Sequence, residues 1–267
     1  MIRQKFLKYA AETRNPLLTS NLRHIFAHRH VFHIYRSNSL YSMIPKNACS
    51  TMRLSISMAN GAVKDPSKWF YGNNQTFKPS LSELMRADYS FVILRCPYAR
   101  LASCFLDKFI GGWPVATTFV RTMNDGISVA DTTFKMFVNG LKDDTVLRAN
   151  IHWRPQVDFL VFEEYDDYFC LEKFAAASAV IEEKSGVKIV DAREITKHGL
   201  DAVEFVEEGQ DFSEVTVGEL REFRKKNLSP RPRSLFDDEV VTSANEIYEG
   251  DFAIFGDLFP AVSLLNR

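Results

Sequence analysis

Apolar runs of strand length alternate with apolar residues at helical spacing along most of this chain. The run at 89–94 is almost continuously apolar and predicts a buried parallel strand, and a shorter run at 39–44 predicts a second one. Helical spacing follows each run, over 47–60 and from Pro97 to about residue 109. This alternation predicts an α/β fold with a parallel sheet that binds its ligand at the carboxyl ends of the strands.

The alternation continues in the rest of the chain. Apolar spacing predicts helices over 130–141 and 171–184, and the second of these would end at Gly186. A short apolar run over 159–162 predicts another buried strand. A charged segment over 216–227 predicts a helix that is capped by its first residue, a threonine.

The N-terminal segment, residues 1–36, is basic and lacks a clear periodicity, so we expect an irregular extension ahead of a single domain at 37–267. Its histidines include His24 and His28, whose i, i+4 spacing on a helix is compatible with metal binding. No cysteine or acidic residue accompanies this pair in a ligand pattern. Surface histidines without a ligand role are therefore the favoured interpretation, and no metal site is predicted.

Polar residues suited to binding phosphate follow the first predicted strand. Lys46 lies in the turn between strand and helix, where its ammonium group can reach a phosphate oxygen. Ser50 and Thr51 offer hydroxyl donors beside the unsatisfied N–H groups of the first helical turn. No glycine lies in this turn or in the helix that follows, so the Walker pattern of nucleotide triphosphatases is disfavoured.

A second such segment follows the more apolar strand. Arg95 ends this strand, Pro97 fits the first helical turn, and Ser103 lies two turns into the helix. We expect Arg95 and Ser103 to bind a phosphate together. Arg100 is expected to be structural and to pair with an acid such as Asp107. Two such segments imply a ligand with two phosphate groups.

Charge is unevenly distributed along the chain, although the net charge is −1. Residues 1–154 carry 21 Lys or Arg against 9 Asp or Glu, and residues 155–267 carry 12 against 25. Both predicted phosphate segments lie in the basic part, which favours a small polyanion and an anionic glycan as partners. The basic residues are scattered and no nucleic-acid recognition motif accompanies them, so nucleic-acid binding is not expected.

The composition is that of an enzyme-sized globular chain, with 46% of the 267 residues hydrophobic. No apolar run approaches the roughly 18–20 residues of a membrane span, and no apolar signal core is present. We therefore expect a cytoplasmic enzyme, with a lumenal domain trimmed of its anchor as the alternative. The cysteines form no CxxC pair and are expected to be reduced thiols: Cys49, Cys96, Cys104 and Cys170.

The order of these motifs resembles that of carbohydrate sulfotransferases that use 3′-phosphoadenosine 5′-phosphosulfate (PAPS), especially the chondroitin and dermatan type of sulfotransferase family 2. The shared pattern is Pro-Lys-x-x-Cys-Ser at 45–50, followed by Arg-x-Pro-Tyr-x-Arg-Leu-x-Ser at 95–103. Stretches at 150–156 (Asn-Ile-His-Trp-Arg-Pro-Gln) and 247–256 extend the resemblance over about residues 39–256. It implies a P-loop-like three-layer fold, with a central parallel sheet flanked by helices, and PAPS as co-substrate without a metal.

In this family the first motif binds the 5′-phosphosulfate and the second binds the 3′-phosphate. The resemblance therefore implies the cofactor-binding residues Lys46, Asn47, Ala48, Cys49, Ser50, Thr51, Arg95 and Ser103. Lys46 is also the candidate catalytic cation for the leaving group. His152 is the candidate base for the acceptor hydroxyl, which the family places on a carbohydrate. Glu163, Glu164 and Asp158 are alternative bases, and a histidine that only orders its loop is an equal alternative.

Departures from the family pattern keep other interpretations open. Cys96 stands where the family usually has an acidic residue, and the segment after Trp153 lacks the paired cysteines of the Golgi enzymes, so the acceptor can differ. The stretch 247–256 is expected to pack, with Phe252 and Phe255 buried against the sheet. The alternatives are a P-loop-like kinase, which would need an acidic residue for magnesium, and a non-catalytic binder of nucleotides or anionic glycans.

Overall fold

The computed structural model describes residues 4–68, 75–123, 126–196, 203–206 and 209–262. The chain divides into two compact units. The first, which we call the sheet unit, comprises Met1–Arg95 and Gln156–Lys197. The second, the helix-rich unit, comprises Cys96–Pro155 and His198–Arg267. No described helix is long and apolar enough to cross a membrane.

Both units combine short strands with short helices. In chain order, the strands are β1 (Val31–Ile34), β2 (Ser39–Ser42), β3 (Tyr89–Leu94), β4 (Asp167–Cys170), β5 (Glu204–Phe205) and β6 (Leu228–Ser229). The helices are α1 (Leu22–His28), α2 (Cys49–Ala59), α3 (Leu81–Arg86), α4 (Pro97–Phe105), α5 (Pro114–Met123), α6 (Phe134–Gly140), α7 (Asp144–Ala149), α8 (Phe174–Ser185), α9 (Arg193–Thr196), α10 (Val217–Lys225), α11 (Asp238–Ile247) and α12 (Glu249–Leu258).

The sheet unit is built on a four-stranded sheet in the order β1-β2-β3-β4. Strands β2, β3 and β4 are parallel, and β1 is an antiparallel edge strand. Tyr41 lies opposite Phe91, and Ile93 lies opposite Phe169. The predicted parallel α/β sheet is therefore confirmed in its mostly parallel form. Residues 31–34, expected to be irregular, instead pair with β2, because each of their side chains is buried.

Both faces of this sheet are covered. On one face, aromatic residues of the strands pack against α2 and α8 in a single hydrophobic cluster. On the other face, the Ser42 hydroxyl lies 2.6 Å from the Tyr165 hydroxyl, and Lys5 Nζ donates to Ser90 Oγ at 3.1 Å. The unit is thus a mixed α/β structure with a central, mostly parallel sheet flanked by helices.

The helix-rich unit is centred on α4. This helix continues into a π-helical turn at Leu106–Ile110, so the predicted helix from Pro97 to about residue 109 is confirmed with a change of pitch. Aromatic rings from several helices pack together behind it, with edge-to-face or tilted geometry: Phe105, Phe109, Phe119, Phe134, Phe137 and Trp153. Such pairs stabilise a core beyond the area that they bury.

Two other predicted elements differ from those in the structure. The strand expected at 159–162 is wrong, because Gln156–Phe159 form a 3-10 turn and Phe162 makes one isolated bridge with Leu7. The helix expected at 130–141 begins later, since the Thr133 hydroxyl caps it by accepting from the N–H of Met136.

Two helix ends match their predictions closely. The helix expected at 171–184 is α8 after an initial 3-10 turn, and it ends at the left-handed Gly186, with φ 69°. The charged helix is α10, whose N-cap Thr216 forms a reciprocal capping box with Glu219.

The histidine pair of α1 is not at the surface, so that prediction is wrong. His24 and His28 are both buried. His28 Nε2 donates to the carbonyl of Pro79 at 2.7 Å, and burial lowers the pKa of His28 to about 4. Burial also lowers the pKa of His24. Among the described residues, no cluster of three or more His, Cys, Asp or Glu is arranged to hold a metal ion.

Candidate functional site

The loop between β2 and α2 has an unusual backbone. Lys46 and Ala48 both have positive φ, 72° and 56°, a conformation that glycine adopts far more readily than other residues. Holding a non-glycine residue there costs about 1–2 kcal/mol. Left-handed residues beside a helix start are typical of backbone nests, whose N–H groups converge on an anion. The backbone conformation of this loop is therefore compatible with an anion site, although the loop contains no glycine.

The first turn of α2 supplies further donors. Ala48 is its N-cap and makes no side-chain capping bond. The N–H groups of a first helical turn have no intrahelical acceptor and lie at the positive end of the helix dipole. Ser50 is partly buried in this turn, and the Thr51 hydroxyl oxygen accepts from the N–H of Ala192 at 3.4 Å. Since that bond uses only the oxygen, the hydroxyl hydrogen of Thr51 can still be donated to a ligand.

Arg95 reaches this loop from the end of the neighbouring strand. Its Nη1 donates to the carbonyl oxygen of Lys46 at 3.0 Å. The two residues are 49 positions apart in the chain, but β2 and β3 are parallel neighbours, so their carboxyl ends meet at one edge of the sheet. The Arg95 side chain and the Lys46 backbone, which belong to separate motifs, therefore lie together, as parallel topology requires.

Asn47 holds the loop from inside. It is fully buried, and its Nδ2 donates to the carbonyl of Ile93 at 2.8 Å and to Gln156 Oε1 at 2.7 Å. Its main-chain N–H donates to the carbonyl of Ile44 at 3.2 Å. These donors are used within the protein, so the role that the geometry supports for Asn47 is to fix the loop. Its contact with a phosphate stays a prediction.

Gln156 is bonded to Asn47, and we call this pair of amide side chains the clamp. Its Oε1 accepts from the N–H of Arg95 at 3.0 Å, and its Nε2 donates to the carbonyl of Arg95 at 2.9 Å. Together with the bond from Asn47, the Gln156 side chain connects the β2–α2 loop to the residue that follows β3. Sequence reasoning quoted Gln156 only as part of a motif and missed this role. No spacing signals it, because only the fold brings the three residues together.

The structure places Ser103 and His152 in the helix-rich unit. Ser103 is partly buried on α4. His152 is also partly buried, and both its N–H and its Nδ1 bond to Asn150 Oδ1, at 3.0 and 2.7 Å. An oxygen that already accepts the main-chain N–H also accepts from Nδ1–H. The neutral imidazole then carries its hydrogen on Nδ1, and in that tautomer Nε2 is the nitrogen without a hydrogen.

The segment around His152 is anchored on both sides. Trp153 is buried, its Nε1 donates to the carbonyl of Val146 at 2.9 Å, and its own carbonyl accepts from the Tyr248 hydroxyl at 2.5 Å. Arg100 is buried and donates through Nη1 to the carbonyl of Arg154 at 2.9 Å. These bonds support the structural role expected for Arg100, while its pairing with an acid such as Asp107 stays a prediction. These contacts make the histidine's loop rigid.

The other predicted residues have plain positions. Asp158 is buried in the sheet unit, whereas Glu163 and Glu164 are exposed and line an open cavity of about 400 Å³. In the helix-rich unit Phe255 is fully buried, which confirms its predicted burial, while packing against the sheet stays a prediction. Phe252 is only partly buried, and its ring lies 4.6 Å from that of Tyr98 on α4, measured between centroids.

Comparison with known proteins gives one positive finding. The sequence model of a family described as the sulfotransferase family matches residues 29–259. Searches of curated proteins and of solved structures each found no match.

Proposed function

Because the chain belongs to the sulfotransferase family, we propose that it transfers the sulfuryl group of PAPS to a hydroxyl group of a carbohydrate. The observation that carries the donor assignment is the β2–α2 loop. Its left-handed Lys46 and Ala48 lead into an uncapped helix start, and Arg95 is bonded to the same loop. A strand, an anion-binding turn and a helix in this order make the fold P-loop-like in the proposal.

The proposed donor contacts follow from the donors present. Lys46 and the N–H groups of the first turn of α2 bind the 5′-phosphosulfate, with the hydroxyls of Ser50 and Thr51 assisting. The resemblance assigns the 3′-phosphate to the family's second motif, which in this chain includes Arg95 and Ser103. None of these contacts requires a metal ion, because the ammonium, guanidinium and N–H groups supply the positive charge.

The transfer itself is an in-line displacement at sulfur. A bond forms between the acceptor oxygen and sulfur, and the bond from sulfur to the bridging oxygen of the nucleotide breaks, giving adenosine 3′,5′-bisphosphate. Lys46 stabilises the charge that grows on this bridging oxygen. His152 Nε2 accepts the proton of the acceptor hydroxyl, while Asn150 holds the hydrogen on Nδ1.

Calorimetric titration with adenosine 3′,5′-bisphosphate, against ATP, tests the donor site. We expect selective binding of the bisphosphate by the parent protein and weaker binding by Lys46→Ala and Arg95→Ala. Lys64→Ala and Arg14→Ala, which change exposed basic residues of the same unit, serve as controls and should bind normally. A preference for ATP would overturn the proposal and favour a kinase, and no binding of the bisphosphate would also overturn it.

Transfer of radioactive sulfate from labelled PAPS to a panel of oligosaccharides tests the reaction. Labelled product is expected from the parent, with turnover reduced about 100- to 1,000-fold in Lys46→Ala, as when one transition-state donor is removed. Bisphosphate binding without any labelled product across the panel would instead support the non-catalytic binder.

A further inference from the structure

A tryptophan of the helix-rich unit lies at the surface in a tight turn. After the π-helical turn that extends α4, Gly111 and the left-handed Gly112, with φ 72°, reverse the chain before α5. Trp113 follows them and is 40% exposed, whereas Trp153 of the same unit is 2% exposed. An exposed indole is a large apolar surface that invites a ligand when it is held rigidly.

The indole of Trp113 is held in place by its neighbours. Lys108 Nζ lies 4.5 Å from the centroid of the ring, a cation–π distance, and 3.1 Å from Asp107 Oδ2. The side chain of Lys108 is itself buried. A Cβ atom placed on Gly111 would lie only 3.2 Å from Cδ1 and Nε1 of the indole. The ring therefore rests against a glycine and a fixed cation, and its position is set before any ligand arrives.

A guanidinium group from another helix lies at the same turn. Arg221 of α10 donates through Nη2 to the carbonyl of Phe109 at 2.7 Å, and the same nitrogen would be 3.8 Å from a Cβ on Gly112. Its Nε is buried and has no hydrogen-bond partner in the described part of the chain. A buried donor without an acceptor is costly, by about 1–3 kcal/mol.

The segment 221–233, which begins in α10, carries a surplus of positive charge in its sequence. Residues 155–267 contain 12 Lys or Arg, and six of them lie within 221–233. Arg224, one turn after Arg221, lines a shallow groove together with Ile110. Lys225 pairs with Glu222 at 2.7 Å, but Arg224 and Lys226 are exposed and form no ion pair among the described residues. The charge surplus suits an anionic ligand.

We propose that Trp113, Arg221 and Arg224 form a binding site for an anionic sugar residue. A pyranose ring presents an apolar face of C–H groups that can stack on the exposed indole, and a carboxylate or sulfate beside it can be bound by a guanidinium in a bidentate manner. Its use as an acceptor site rests on the proposed function. A nucleic-acid base can also stack on an indole, but the site has a single platform rather than a series of them, which favours the sugar.

Direct binding tests the site without any turnover. The probe is a hexasaccharide that alternates glucuronate with N-acetylhexosamine, compared with the neutral chitohexaose and with a hexamer of uridylate. Calorimetry and tryptophan emission are recorded for the parent, Trp113→Ala, Trp113→Tyr and Arg221→Gln. Arg148→Gln, an exposed arginine of the same unit, is the control.

The parent should bind the glucuronate hexasaccharide more tightly than chitohexaose or the uridylate hexamer. We expect Trp113→Ala and Arg221→Gln to weaken this binding at least tenfold, Trp113→Tyr to recover part of it, and Arg148→Gln to bind as the parent does. No binding by the parent, equal binding by the variants, or tighter binding of the uridylate hexamer would overturn the site.

The two proposals fail in different ways. Titration of every variant with adenosine 3′,5′-bisphosphate separates them. A parent that binds the bisphosphate but no hexasaccharide refutes the sugar site and leaves the donor assignment standing. A parent that binds the hexasaccharide but not the bisphosphate refutes the sulfotransfer proposal while the sugar site stands.

Discussion

The substitution Gln156→Leu should remove the hydrogen bonds that hold the β2–α2 loop while keeping a side chain of similar volume. Gln156 makes a buried bond to Nδ2 of Asn47 and two partly buried bonds, to the N–H and the carbonyl of Arg95. Leucine fills similar space but makes none of them. The N–H and the carbonyl of Arg95 and one hydrogen of the Asn47 amide would then lose these bonds.

The magnitude follows from counting these groups. A buried polar group that loses its partner costs about 1–3 kcal/mol. Three groups at the lower end give a destabilisation of about 3 kcal/mol, which is a large share of the roughly 5–15 kcal/mol of a typical protein. For a chain of this size about 1 kcal/mol lowers the melting temperature by about 2–4 °C, so a fall of about 6–12 °C is expected.

Urea unfolding followed by circular dichroism measures this change, with Gln210→Leu, an exposed glutamine, as the control. Gln156→Glu separates the donor from the acceptor role of the amide. It retains oxygens for the N–H of Arg95 and for Asn47, but at neutral pH it has no hydrogen for the carbonyl of Arg95. This variant should gain stability as the pH falls and the new carboxyl is protonated. A Gln156→Leu protein as stable as the control would refute the clamp.

Three further predictions concern the loop and two histidines. Ala48→Gly should raise stability by up to about 1 kcal/mol in urea unfolding, because glycine relieves the left-handed strain at φ 56°; a loss would contradict the strain argument. His28 has a folded pKa of about 4, below the unfolded value of about 6.5, so it contributes stability that is present above pH 6.5 and lost as the pH falls towards 4. His28→Gln, whose amide can still donate to Pro79, should flatten that loss, and an unchanged pH profile of unfolding would refute it. Asn150→Ala should lower turnover and shift its pH dependence, since the hydrogen of His152 is no longer held on Nδ1; a fall in turnover with an unshifted profile would mean that Asn150 only supports the loop.

Some of this site could be predicted from the sequence because its signals are local. The apolar run at 89–94 coincides with β3, and the change to helical spacing after it places Arg95 at the end of a strand. Parallel topology then brings Arg95 to Lys46 without any further information. The pattern of side chains was sufficient wherever one strand or one helix terminus determines the position.

The remaining features depend on contacts between distant segments. The edge strand β1 is only four residues long, and its burial comes from neighbours that no local pattern reveals. His24 was expected at the surface because no cysteine or acidic residue accompanies it in a ligand pattern, but its side chain is completely buried. Gln156 lies in a 3-10 turn whose sequence does not show that its amide will pair with Arg95. Tertiary packing decided these positions, and local propensity did not.

The strain in the β2–α2 loop and the hydrogen bonds of the clamp depend on each other. Left-handed Lys46 and Ala48 each raise the energy of the folded loop, and such strain persists only where the surrounding structure over-determines the backbone. Asn47 lies between these two residues and is bonded to Ile93 and Gln156. The bonds of the Asn47 amide thus fix the residue between Lys46 and Ala48 and help to hold both neighbours in the left-handed conformation. In the proposal this conformation directs N–H groups toward the donor. The proposed binding of the donor then needs little reorganisation, because the ordering has already occurred on folding.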